Sequence, residues 1–111
     1  MEDDHHHKPI ELAEALLLLE TAEEVHYFLK DLCTPQEITA LKERWRVCQH
    51  LEAGNLSYRA IHNLTKASLT TIGRVARFLK DEPYHGYRLI LNRIKKNETR
   101  TTSDNPTVYT L

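Results

Sequence analysis

"SYRAIHNLTKASLTTIGRVARFL", residues 57–79, holds two short amphipathic runs separated by three residues, Lys66-Ala67-Ser68. That break is too short for a strand and reads as too polar for a core. Ser57 stands where it can cap a helix over 58–64, burying Ile61 and Leu64. Ser68 can cap a second helix over 69–80, burying Leu69, Ile72, Val75, Ala76 and Leu79. Two helices joined so tightly cross steeply, which leaves one face of the second clear of the core. On that face Thr70, Arg74 and Arg77 fall at i, i+4 and i+7. Short hydroxyls and forked guanidinium groups suit the base edges and phosphates of a DNA major groove. An ordinary helical hairpin with a solvated face has the same pattern. Two positions depart from a generic helix-turn-helix: Lys66 stands where a Gly is usual in the turn, and His62 where a small residue is usual.

Outward from this hairpin the charge is uneven. Net charge is −1, yet residues 1–41 carry 2 basic and 10 acidic side chains, whereas residues 42–80 carry 8 basic and 2 acidic. The middle third is therefore a cationic unit on an acidic support, which points to a polyanionic partner. Attraction between the two parts of the chain is the alternative. At 111 residues the chain is a single small domain, and three Gly with four Pro leave little turn material. The two cysteines, Cys33 and Cys48, make neither a disulfide framework nor a metal-ligand spacing, and read as buried thiols in a reducing cytosol. No apolar run is long enough to span a bilayer, and "MEDD" is the wrong flank for a signal peptide, so the expected location is cytoplasmic.

The remaining segments also read as helices. Pro9 to Glu20 is apolar around nearly its whole circumference, which in so small a chain predicts burial against a second copy. "TAEE" (21–24) and "TPQE" (34–37) are capping boxes. The second opens a long helix, with Pro35 in its first turn, ending at Gly54. Ile38, Leu41, Trp45 and Cys48 line one face of it. A last helix is expected from Tyr84 to Lys96, burying Tyr87, Ile90, Leu91 and Ile94. Residues 1–8 and 98–111 read as a disordered N-terminus and a flexible tail around a helical domain at 9–97. "DDHHH" (3–7) resembles a weak metal-chelating cluster but is expected to hold no ion. The other histidines lack ligand spacing, and no catalytic constellation or phosphate loop is present, so the expectation is not an enzyme.

"DLCTPQEITALKERWRVCQHLEAGNLSYRAIHNLTKASLTTIGRVARFL" resembles the tryptophan repressor superfamily. Closer still is the likeness to its YerC/YecD branch, from "ELAEAL" through "FLKDLCT" to "HGYRLILNRI". The resemblance implies an all-α, six-helix chain forming an interlocked homodimer, with residues 58–80 as a DNA-reading helix-turn-helix. It implies a sequence-specific transcription regulator, a repressor on a palindromic operator; the alternative is a dimeric interaction module with only non-specific nucleic-acid or protein binding. Carried over residue by residue, the DNA contacts are Arg59, His62, Leu69, Thr70 and Gly73, to which Lys66, Arg74 and Arg77 are added as cationic or polar head positions.

The tryptophan repressor's ligand-holding Thr and two Arg map to Thr34, Arg44 and Arg74. Thr34 is also a cap by sequence, and Arg44 has Gln49 within reach as another partner. Val75 and Phe78 replace smaller residues near where an indole would lie, and filling a cavity excludes its ligand. The expectation is therefore no cofactor, tryptophan included, and no metal.

Overall fold

In the computed structural model, which describes residues 8–100, six helices follow one another: α1 (Leu12–Leu17), α2 (Ala22–Leu32), α3 (Pro35–Ala53), α4 (Tyr58–Thr65), α5 (Leu69–Lys80) and α6 (Gly86–Arg100). There is no strand among the described residues. The chain is all-α, as the sequence predicts. Residues 1–7, with the His cluster, and 101–111 lie outside the described residues.

Local chemistry sets the boundaries. Thr34 caps α3 with a complete box: its Oγ1 accepts from the Glu37 N–H at 3.1 Å, and Glu37 accepts from the Thr34 N–H at 2.7 Å. Gly54 closes α3 at φ 77°, its N–H bonded to the His50 carbonyl. At α2 the predicted box is only half made. Thr21 accepts from Glu24, but the Glu24 carboxylate takes the N–H of Glu20 instead.

Two helices differ from their predicted spans. The first is shorter than 9–20. Glu11 and Glu14, not Pro9, organise its start. It then tightens to i→i−3 bonds at Leu18 and Leu19, because Thr21 must be extended to cap α2. The last begins at Gly86 rather than Tyr84, since His85 adopts φ 57°, outside helical space. It runs on to Arg100, past the predicted end at 96.

The core lies among α3 to α6: Val47, Cys48, Ile61, Ala67, Ile72, Val75, Leu79 and Leu91, with Trp45, Leu51 and Tyr87 packed against it. Ala67 corrects the reading of the break as too polar for a core, because its methyl is fully buried between α4 and α5. Leu64, Leu69, Ile90 and Ile94, predicted buried, are exposed, as is Leu41 on the α3 stripe. Each lies on a side of its helix that the other described elements cover only in part.

A bidentate ion pair ties α6 to α3. Arg88 donates to both Glu52 oxygens, at 2.8 and 2.9 Å, and Lys95 Nζ lies 3.2 Å from the same carboxylate. The Arg88 hydrogen bonds foremost, with Lys95 adding, hold the Glu52 carboxyl down at about 2.

Neither α1 nor α2 buries a single residue. The radius of gyration is 17.2 Å, against about 13 Å for a compact globule of this length. The N-terminal third projects from the core rather than closing on it.

Candidate nucleic-acid interface

Helices α4 and α5 are locked by a small set of bonds around residues 65–68. Thr65, the one buried polar residue among those described, donates its hydroxyl to the Ile61 carbonyl at 2.8 Å and accepts the Ala67 N–H at 3.2 Å. The His62 ring closes the turn from the other side, with Nδ1 2.6 Å from the Ala67 carbonyl. A carbonyl only accepts, so Nδ1 carries the proton. Lys66 sits at φ 69°, ψ 0°, the left-handed conformation that glycine takes most readily. The turn thus has the geometry of a Gly turn with a lysine in it. Ser57 and Ser68 cap the two helices as predicted, accepting from Ala60 and Thr71. From α3, Arg46 reaches the Leu64 carbonyl at the end of α4, at 3.4 Å.

Ile61, Ile72, Val75, Ala76 and Leu79 face inward, so the opposite side of α5 presents Leu69, Thr70, Gly73, Arg74 and Arg77 to solvent. Arg59 and Lys66 are exposed beside them. His62 is half-buried, because its ring is held in the turn. Between Glu52 and Asp81 there is no carboxylate in the sequence. The head therefore carries no carboxylate of its own, and is a cationic surface suited to a row of phosphates.

The eight residues singled out from sequence divide in two. Arg59 and His62 lie on α4, Lys66 in the turn, and Leu69, Thr70 and Gly73 in the N-terminal half of α5. Arg74 and Arg77 both lie over the Phe78 ring, their guanidinium carbons 4.3 and 5.3 Å from its centroid. Arg77 also pairs with Glu82 at 3.2 Å. Phe78, Tyr84 and Tyr87 line an open groove between α5 and the start of α6.

Of the three ligand-type residues, two act on one side chain. Arg44 and Arg74 are both electrostatic neighbours of the half-buried Tyr87 phenol, opposing the upward shift that burial, above all, and Cys48 impose on it. Thr34 has a structural role of its own. It is committed to its capping box ten residues before Arg44 on α3, about 15 Å along the helix axis. Val75 is 1 % exposed and belongs to the core rather than to a pocket wall.

Sequence reasoning missed Thr65 and Ala67. Their signal was position: a small polar and a small apolar residue flanking a left-handed residue between two caps. No group of three or more metal-ligating side chains occurs among the described residues, and no helix among them is long and apolar enough to cross a membrane.

Comparison with known proteins gives a consistent result. The family described as Trp repressor protein matches residues 10–95. The uncharacterized protein YerC of Bacillus subtilis (strain 168) is 39% identical over 93 residues, covering 84% of this chain and 88% of its own. A crystal structure of a TrpR-like protein from Eubacterium eligens superposes with a TM-score of 0.70 at 34% identity, covering 76% of this chain and 84% of that one. A second such crystal structure, from Staphylococcus aureus, gives a TM-score of 0.70 at 38% identity, over 76% and 82% of the two chains.

Proposed function

The chain belongs to the Trp repressor protein family, and on that premise we propose that it is a dimeric, sequence-specific DNA-binding transcription regulator that represses from a palindromic operator. The observation that carries this reading is the head. Two capped helices are fixed by the Thr65 and His62 bonds, and the outer face of the second is exposed and basic, with no carboxylate on the helix itself. In such a head the second helix enters the major groove and the first crosses the backbone. Arg59, Lys66 and Arg77 supply phosphate or guanine contacts, and Leu69 and Thr70 face base edges.

The dimer is supported by what one chain leaves uncovered. Leu17 is 84 % and Leu18 70 % exposed, and Ile10 and Leu12 each more than half. A second copy covers such a surface and sets two heads one helical turn of DNA apart, about 34–36 Å. Arg44 and Arg74 stand at the positions of the family's polar grip, but Phe78 lies under the guanidinium of Arg74. The proposed regulator therefore acts without tryptophan.

Selection of bound duplexes from a random-sequence pool tests the proposal. A palindromic site preferred over bulk DNA by about a thousandfold or more is the expected outcome. Uniform binding to all sequences would reduce the protein to a non-specific module.

A further inference from the structure

We infer that His62 is a positioning residue, a brace on the turn that aims α5, rather than a DNA contact. Its service to DNA binding rests on the reading above; the brace itself does not. His62 grips the chain on both sides of Lys66. Its carbonyl accepts the Lys66 N–H at 2.9 Å, and its ring Nδ1 donates to the Ala67 carbonyl at 2.6 Å. Thr65 takes the Ala67 N–H at 3.2 Å, and the Ala67 methyl is fully buried. The residue that leads into the Ser68 cap of α5 is thus held at its N–H, its carbonyl and its side chain. Those three points set the direction in which α5 leaves the turn.

The same bonds make one feature of the two departures from a generic helix-turn-helix. Lys66 sits at φ 69°, a conformation that disfavours any residue with a Cβ and persists only where its surroundings impose it. A glycine in the turn needs no such support, and a small side chain four residues earlier could not give it. A lysine needs it, and the His62 ring is long enough to supply it. The bond also removes the competing role. With the proton on Nδ1, a neutral ring leaves Nε2 bare, with no hydrogen to give a phosphate oxygen. His62 is half-buried, whereas the cations Arg59 and Lys66 of the same head are exposed.

The experiment uses the full chain. Nitrogen-15 NMR at pH 8 should find His62 protonated on Nδ1, where a free histidine side chain favours Nε2. His62→Ala should lower the melting temperature by about 4–8 °C, as for one ordinary hydrogen bond lost from a chain of this size. His62→Asn, whose amide nitrogen can stand where Nδ1 stood, should recover most of that loss. In a Lys66→Gly background His62→Ala should cost less than half as much, because the two residues are coupled. On the duplex recovered by selection, His62→Ala should bind about tenfold more weakly, since fewer heads are correctly set before binding. Affinity for random DNA should change far less, the salt dependence should keep its slope, and His62→Asn should restore the preference.

A His62 ring protonated on Nε2 alone would overturn the brace, and so would a melting loss as large with Lys66→Gly as without it. A salt slope shallower by about one unit in His62→Ala would assign the residue to a phosphate instead. A His62→Asn variant that melts like the parent but does not regain the selected site would assign it to a base edge. If selection recovers no site, the DNA-binding reading fails and the aiming of α5 loses its purpose. The tautomer and the melting cycle then still decide whether His62 holds the turn.

Discussion

The guanidinium of Arg74 lies over the ring of Phe78, 4.3 Å from its centroid. A flat cation stacked on an aromatic face has already met the partner that an indole would offer it. Millimolar tryptophan should therefore change neither the melting temperature nor DNA affinity. A ligand present at a hundred times its dissociation constant would stabilise the folded state by about 2.7 kcal/mol, which a melt resolves easily. Phe78→Ser is the informative variant, since it removes the stacked ring without touching the core. Val75→Gly is not, because Val75 is 1 % exposed and the change would add a cavity to a helix-breaking residue. A tryptophan-induced shift in the parent protein would refute the steric argument.

The Glu52–Arg88–Lys95 cluster gives a pH prediction whose sign follows from its direction. The carboxyl is lowered from 4.5 to about 2 by its hydrogen bonds to Arg88 first and to Lys95. A carboxylate depressed on folding stabilises the native state at pH values above its unfolded pKa, and that contribution disappears as pH falls through the folded value. Glu52→Gln should thus be less stable than the parent from pH 5 upward. The difference should shrink between pH 4.5 and 2 and vanish near 2. Its size is limited to roughly 1 kcal/mol because the cluster is partly exposed. Melting curves at pH 2, 4 and 6 check this; a difference that grows toward acid would contradict it.

Much of this architecture was legible because its signals are local. Thr34, Ser57, Ser68 and Gly54 mark helix ends by side-chain chemistry that acts within four residues, and the predicted boundaries of α3 and α5 match the structure. Where competing local signals met, the reading slipped. Pro9 suggested a helix start that the Glu11–Glu14 pair moved inward, and His85 broke a helix with a backbone conformation that its side chain does not announce. Burial of Leu64, Leu69, Ile90 and Ile94 was misjudged for a different reason. Periodicity reports that a face is apolar, but not whether this chain or another molecule covers it. The exposed face of α5 with Thr70, Arg74 and Arg77 was recoverable from spacing. The convergence of Arg74 and Arg77 on Phe78 was not, because it depends on side-chain direction at the end of α5.

Cys48 should be chemically silent in the folded protein. Burial foremost, with the charge of Glu52 adding, pushes its thiol up to about 11, and only the thiolate reacts. Cys33 is half-buried near the end of α2. Alkylation at pH 8 should modify Cys33 alone in native protein and both cysteines in denaturant, a difference that intact-mass measurement reads directly. Rapid double labelling of native protein would show that α3 opens away from α6.

Lys66 separates stability from binding. Its φ of 69° costs an ordinary residue about 1–2 kcal/mol, a strain glycine does not carry. Lys66→Gly should raise the melting temperature, less a small entropic penalty from the more flexible unfolded chain. The same change removes a cation from the head, so affinity should fall similarly for specific and random DNA, with a salt dependence shallower by about one unit of slope. Arg59→Ala offers the contrast: a loss of roughly 1–3 kcal/mol confined to the preferred site if it reads a base edge. Titrations at three salt concentrations distinguish the two.

The last prediction turns on Leu17, which is 84 % exposed in the single chain. In a monomer, Leu17→Asp is a surface substitution on a helix that buries nothing, and its effect should stay within about 0.5 kcal/mol of zero. In a dimer that covers α1, the same change places a carboxylate in an apolar interface, where an unpaired charge costs several kcal/mol. The two cases also differ in how stability depends on protein concentration, because an obligate dimer gains stability by mass action and a monomer does not. The expected result is a parent whose melting temperature rises with concentration and a Leu17→Asp variant that fails to fold cooperatively at micromolar protein. Leu18, 70 % exposed beside it, should respond in the same way. A parent melting at one temperature from 1 to 100 μM, together with a well-folded Leu17→Asp variant, would leave the apolar surface of α1 without a second copy to cover it.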